Sequence, residues 1–221
     1  MTVVLLHSPQ QGFFWYVGGM CYVGMHAFLM LTIAAWVKLL TGAGRVGTVL
    51  LVLGTLAGAV VLGGSTYVTG LQGILLGLGL VVFGAFILRR KRAWLLVPSL
   101  LVYGYGFYKN VSAPGNAARM RSYAGWGYPP VEAVLRSFQE AFLHLGEFSG
   151  WITVSILILL VPIVWRMVGK STVSFRFPGL VLLGSFCLYA TGFTPTLFAQ
   201  GHGGYARVLN PVKITYQLLL V

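Results

Sequence analysis

The sequence predicts an all-α protein, a polytopic transmembrane helical bundle of about six complete spans plus a partial seventh, and three observations carry that prediction. Only 8% of the 221 residues are charged and 57% are hydrophobic, against roughly 25% charged in an ordinary soluble domain. Apolar runs long enough to cross a hydrocarbon core of about 30 Å as a helix recur along the whole chain. Those runs are uniformly apolar, without the two-residue alternation of a transmembrane barrel.

The first span covers 13–37, "FFWYVGGMCYVGMHAFLMLTIAAWV". Trp and Tyr collect where a helix enters the headgroup layer. Aromatic faces at a membrane edge also stack on sugar rings, so Trp15 and Tyr16 suit either role. Gly18 and Gly19 directly afterwards permit close helix packing or a backbone break. Spans two and three, 46–63 and 67–88, are joined at "GGST", where two glycines and Ser65 supply a tight turn. Tyr67, just past that turn, is a further stacking candidate. The fourth span is 93–108, "AWLLVPSLLVYGYGFY".

A polar segment over 109–148 interrupts this pattern. In "APGNAARMR", Pro114 and Gly115 suit the centre of a turn, and Asn116 suits the N-cap of a helix starting at Ala117. Arg119 and Arg121 would then lie in the first turns. Backbone N–H groups and guanidinium groups at a helix start make a site for phosphate or pyrophosphate; a solvated basic loop is the plain alternative. Trp126 follows among glycines in "AGWGYPP". From Pro129, Val131, Val134, Leu135, Phe138, Phe142 and Leu145 recur at helical spacing, which predicts an external amphipathic helix over about 130–146 with these residues on its apolar face. Glu132 and Arg136 stand four apart in the order that favours a surface pair.

The fifth span is 149–166 and the sixth 177–194. "TGFTPTLFAQGHGGYARVLNP", 191–211, then carries Tyr205, Arg207 and Asn210. The final apolar run starts at Pro211 and has 11 residues, about half of the ~20 that a span needs. With "TVVLL" at the N-terminus reading as the tail of an earlier helix, the expectation is a single transmembrane domain over 1–221 that belongs to a longer protein.

The net charge of +12 reflects topology rather than nucleic-acid binding, because the basic residues sit in short loops between apolar runs. One set of loops holds Lys38, Arg45, "RRKR" at 89–92, Arg166, Lys170 and Arg176, with no acid. The opposite set holds Lys109, Arg119, Arg121, Arg136 and Arg207 with all three acids, Glu132, Glu140 and Glu147. The positive-inside rule places the first set in the cytoplasm and the second, with the N-terminus of this chain, outside. Cys21 and Cys187 lie within apolar runs and read as small core residues. His202 has no second ligand at metal spacing, so neither metal nor cofactor is expected. Phosphate-loop, nucleophile-elbow and zinc-helix motifs are absent.

Taken in order, "FFWYVGGMCY", "GGSTYVTGL", "APGNAAR", "VEAVLRSFQEAF" and "FTPTLFAQGHGGYARVLN" resemble the C-terminal two-thirds of an uncharacterised family of bacterial polytopic membrane proteins. That family is similar to GT-C-type glycosyltransferases, which use polyprenyl-phosphate-linked sugars on the outer face. The resemblance implies a many-helix fold in the bacterial plasma membrane with an external cavity. By motif it assigns Asn116 and Arg119 to one substrate loop and Arg207 and Asn210 to another. Arg121 and Tyr205 lie beside these motifs as further phosphate-binding candidates. Similar transferases carry a catalytic Asp in the first external loop; this chain contains no aspartate, and the resemblance places that loop upstream of Met1. Glu132 is the carboxylate nearest "APGN" and the candidate base within the chain. A transporter or flippase for a lipid-linked glycan, with His26 as the ionisable group inside a span, and a non-catalytic membrane scaffold are the competing readings.

Overall fold

The computed structural model describes residues 6–123, 125–169 and 178–220, and these form helices joined by short turns, without a strand among them. They form two compact units, one over Tyr16–Gly125 and one joining the segment before Tyr16 to the residues after Gly125.

The 16–125 unit begins with α1, Tyr16–Thr41, whose opening contains a wide π-helical stretch at Gly19–Gly24. Helix α2 is Arg45–Gly63 and α3 is Tyr67–Ile87. A 3₁₀ segment, Lys91–Leu96, runs into α4, Val97–Val111, and α5 is Pro114–Ser122. Backbone contact is the theme of the packing. Gly63 of α2 and Gly106 of α4 face one another so closely that a methyl group on Gly63 would stand 2.8 Å from the Gly106 Cα. On α3, Gly70, Gly73, Gly77 and Gly84 form one stripe, spaced by three, four and seven residues, that receives large side chains. A methyl group at Gly73 would lie 2.7 Å from Leu29, and one at Gly77 would lie 2.7 Å from Leu100. Lipid offers apolar side chains as good a contact as protein does, so association rests on such close approach and on internal hydrogen bonds.

Those hydrogen bonds are present. Trp36 Nε1 donates to Ser99 Oγ at 2.9 Å, and the Tyr103 hydroxyl donates to the Thr69 carbonyl at 3.0 Å. His26 is fully buried, with its Nδ1 3.4 Å from Thr69 Oγ1.

The second unit opens with residues 6–15, which include a π-helical turn at Gln10–Phe14. Its helices are α6, Pro130–Phe148; α7, Trp151–Val168; α8, Pro178–Ala190; α9, Thr194–Gln200; and α10, Ala206–Leu220. Helices α6 and α7 meet at a break with a 79° bend.

Among the described residues, four stretches are long and apolar enough to cross a membrane: Tyr16–Thr41, Arg45–Gly63, Tyr67–Ile87 and Pro178–Gln200. The bent pair α6–α7 makes a fifth if it counts as one span. The protein therefore has four to five candidate spans where the hydropathy pattern gave six and part of a seventh. The predicted fourth span begins as a tight 3₁₀ turn, and α4 itself has 15 residues, about 22 Å of helix. Helix α10, at the predicted partial seventh, has 15 residues with Asn210 and Pro211 within it. Lys170 and Arg176 of the basic loop set, and residues 1–5, lie outside the described residues.

Candidate functional site

The "PGN" loop folds differently from its sequence expectation. Helix α5 starts at Pro114, and Asn116 lies inside it rather than capping it. Proline suits this first position because its missing N–H and fixed φ cost nothing there. The Asn116 side chain donates to the Asn110 carbonyl, and Asn110 in turn donates to the Ser65 carbonyl at 2.8 Å. The motif thus ties the end of α4 and the Gly64–Thr66 turn together. Arg119 and Arg121 fall in the last turn of α5, exposed, at the opposite end from its free N–H groups. A combined helix-start and arginine anion site is therefore not what forms here; cations at a helix C-terminus instead complement its dipole. In the same unit, Tyr16 is exposed and Tyr67 packs edge-on to Phe107 at 6.4 Å.

Helix α6 turns its faces opposite to expectation. Ala133, Ser137, Ala141 and Phe148 are buried, while Val131, Val134, Leu135 and Phe142 of the predicted apolar face are exposed. Small residues let α6 approach α8 and α9 closely, and the large apolar side chains are left for an apolar surround. Phe138 and Phe142 meet the Phe186 ring of α8, at 6.1 and 4.7 Å. Glu132 pairs with Arg136 at 2.8 Å, and that guanidinium covers the Tyr128 ring at 4.1 Å. The surface-pair expectation for Glu132 matches its position.

The edge of the packed face carries Glu140, His144 and Glu147, spaced four and three apart. Residues 6–15 bring His7 to this edge, its Nδ1 2.9 Å from Glu147 Oε1. His144 Nε2 lies 3.8 Å from the other Glu147 oxygen, and His144 Nδ1 is 2.9 Å from the Glu140 carbonyl. Lys213 of α10 places its ammonium 5.8 Å from the Phe148 ring centre. Burial pulls His7 below the usual imidazole range; Glu147 opposes that shift, and Lys213 and His144 add to it. Beneath the cluster lies an aromatic core of Phe148, Tyr189, Phe193 and Tyr216, in which Ser149 hydrogen-bonds the Tyr216 hydroxyl.

Two further contacts hold residues 6–15 on α10. The Ser8 main chain is bonded at both N and O to the buried Asn210 amide, and its carbonyl also accepts from Gly12 N at 3.0 Å. Trp15 lies under the Arg207 guanidinium, 5.1 Å from ring centre to Cζ. Arg207 Nε is buried with no hydrogen-bond partner. The adjacent glycine loop brings its backbone close: Gly204 N donates to His202 Nδ1 at 3.1 Å, the His202 ring meets Tyr205 edge-on at 4.7 Å, and a methyl on Gly203 would stand 2.6 Å from Glu140 Oε2. Tyr205 and Trp126 are exposed. Tyr128 N donates to the Leu197 carbonyl at 3.1 Å, so the "GWGYPP" stretch crosses α9, and Gly201 turns with φ 72° against the Trp126 carbonyl.

Of the sequence candidates, Trp15 and Arg207 are thus in contact and Asn210 anchors the segment that carries Trp15. Asn116, Arg119, Arg121, Tyr16 and Tyr67 belong to the other unit. The His7–Glu147–His144–Lys213 cluster was missed. The i, i+4, i+7 spacing of Glu140, His144 and Glu147 was its visible signal, while the arrival of His7 was not visible. No group of three metal-ligating side chains occurs among the described residues. Neither a protein-family model, nor a curated protein, nor a solved structure matches this chain.

Proposed function

We propose that this chain is a membrane glycosyltransferase-like protein, or the C-terminal part of one, that holds a lipid-phosphate-linked sugar at the outer face of the bacterial plasma membrane for modification of a cell-envelope glycan. The observation that carries this reading is Arg207: a guanidinium stacked on Trp15 whose buried Nε has no partner. A buried donor left unpaired costs about 1–3 kcal/mol, and an anionic oxygen removes that cost. Phosphate is the anion that a guanidinium fits best, through paired N–H groups, and the exposed Tyr205, two residues before Arg207, and Trp126, whose carbonyl meets Gly201, offer rings to a sugar.

Transfer of a sugar breaks the bond between its anomeric carbon and the phosphate, and the departing phosphate gathers the charge that Arg207 would stabilise. The acceptor hydroxyl gives up a proton to a carboxylate. Within the terminal unit, Glu147, held by His7, supports that role more than Glu132, whose carboxylate is paired with Arg136. Arg119, Arg121 and Asn116 remain proposed contributors on the resemblance alone.

The test is binding of decaprenyl phosphate to the purified protein in detergent. Arg207→Gln should weaken binding about 10-fold or more, as expected for loss of one charge-assisted hydrogen bond, while Arg136→Gln leaves it unchanged. Equal affinity in wild type and Arg207→Gln overturns the reading. Release of a labelled lipid-linked sugar from proteoliposomes without sugar transfer would assign the protein to transport instead.

A further inference from the structure

We propose that one end of the 16–125 unit is a binding surface for the headgroup of an anionic membrane lipid. This unit contains Lys38, Arg45, Arg89, Arg90, Lys91, Arg92, Lys109, Arg119 and Arg121 and not one acidic residue. Six of those nine lie where α1 ends, α2 begins and α3 gives way to the 3₁₀ segment.

The structure draws these three junctions together. Arg90 Nη1 donates to the Leu40 carbonyl at 2.9 Å, satisfying an orphan acceptor at the end of α1. The Arg92 guanidinium lies on the α1–α2 turn, so close that a methyl on Gly42 would stand 2.6 Å from Nη1. Gly42 takes φ 109° there, and Arg89 takes φ 51°, a left-handed conformation that turns the chain sharply after α3. Lys38 sits in the last turn of α1, and Arg45 is the first residue of α2, four residues past Thr41. All six basic side chains are exposed, and no carboxylate in the unit competes for them.

The flanks identify the partner. Val46, Val49 and Leu50 on α2, Phe86, Ile87 and Leu88 at the end of α3, and Trp94 in the 3₁₀ segment are exposed beside the basic group. A soluble polyanion would meet that apolar border at a loss, whereas a phospholipid satisfies both parts, with acyl chains on the apolar flanks and phosphate on the guanidinium and ammonium groups. Trp94 has the amphipathic ring found at that boundary. Arg90 is occupied by Leu40 and positions the loop, which leaves Lys38, Arg45, Arg89, Lys91 and Arg92 for the headgroup.

The experiment reconstitutes the full chain in phosphatidylcholine nanodiscs and titrates phosphatidylglycerol, read by retention of the lipid in native mass spectrometry. The triple variant Arg45→Gln, Lys91→Gln, Arg92→Gln should lose about 100-fold in affinity, at about fivefold per charge. The double variant Arg45→Gln, Lys91→Gln, which spares the Arg92–Gly42 contact, should lose about 25-fold on the same basis. A matched variant away from this group, Lys109→Gln, Arg136→Gln, should stay within twofold of wild type. The proposal is overturned if the double variant binds like wild type, if the matched variant loses as much as the triple, or if inorganic phosphate displaces the lipid.

Discussion

Asn210, one turn into α10, holds Ser8 by both ends of its amide: Oδ1 accepts from Ser8 N at 2.8 Å, and Nδ2 donates to Ser8 O at 3.0 Å. Two positions 202 apart in sequence are paired as if they were neighbours in a β-ladder. Because only the Ser8 main chain takes part, its side chain is dispensable. Asn210→Ala strands Ser8 N, while Ser8 O keeps its bond from Gly12 N; the loss should lower stability by about 1–3 kcal/mol, whereas Ser8→Ala should unfold like wild type. Thermal melts in detergent, followed by tryptophan fluorescence, check the contrast.

Docking of residues 6–15 should weaken in acid. His7 binds its proton less readily when docked than when free, because burial outweighs the attraction of Glu147, and Lys213 and His144 repel the added charge. The released segment therefore takes up a proton near the ordinary value of about 6.5, and the docked one takes it up only at lower pH. Stability is complete above about pH 6.5 and declines as pH falls through the docked value. Limited proteolysis of residues 6–15 at pH 7.5 and pH 5.5 should show faster cleavage in acid, and His7→Gln should flatten that difference.

The glycines of the 16–125 unit should divide into two classes. Gly63→Ala and Gly106→Ala each press a methyl into opposing backbone, which has no rotamer to yield, at a cost of about 1–3 kcal/mol. Gly54 and Gly79 have open space around a built Cβ. Their change to Ala should be neutral or stabilising, since Ala exceeds Gly by about 0.8–1.0 kcal/mol in helix propensity. Melting temperatures of the four single variants decide the matter.

On α6 the tolerant and intolerant faces should be the reverse of those in a soluble amphipathic helix. Ala141→Leu inserts bulk into a fully buried position and should destabilise, while Leu135→Ala on the exposed face should change stability little. Chemical unfolding in a mild detergent, monitored by circular dichroism, separates the two.

The helical class and most element positions were legible because length and apolarity alone decide what crosses lipid: α1, α2 and α3 lie close to their predicted ranges. The α6 helix was legible too, but its buried face was not. Periodicity reports which side chains are apolar, and in an apolar solvent that does not say which side packs. The glycine stripe of α3 was present in the sequence as Gly70, Gly73, Gly77 and Gly84, hidden among the 30 glycines of the chain. Arg207 and Trp15 each stand out in the sequence as candidates, yet their contact spans nearly the whole sequence and no local pattern encodes it. The same holds for His7 and Glu147. Asn116 misled because asparagine before a helical stretch suits an N-cap, whereas Pro114 two residues earlier is the stronger helix-start signal.

The 79° bend between α6 and α7 has a consequence for where charge can sit. The two helix axes run nearly at a right angle, so no single bilayer orientation lets both α6 and α7 stand along the normal. Every carboxylate of the chain, Glu132, Glu140 and Glu147, is on α6. The acidic side chains thus all belong to one arm of the bend, and a bilayer crossed by α7 along its normal would hold all three near one face.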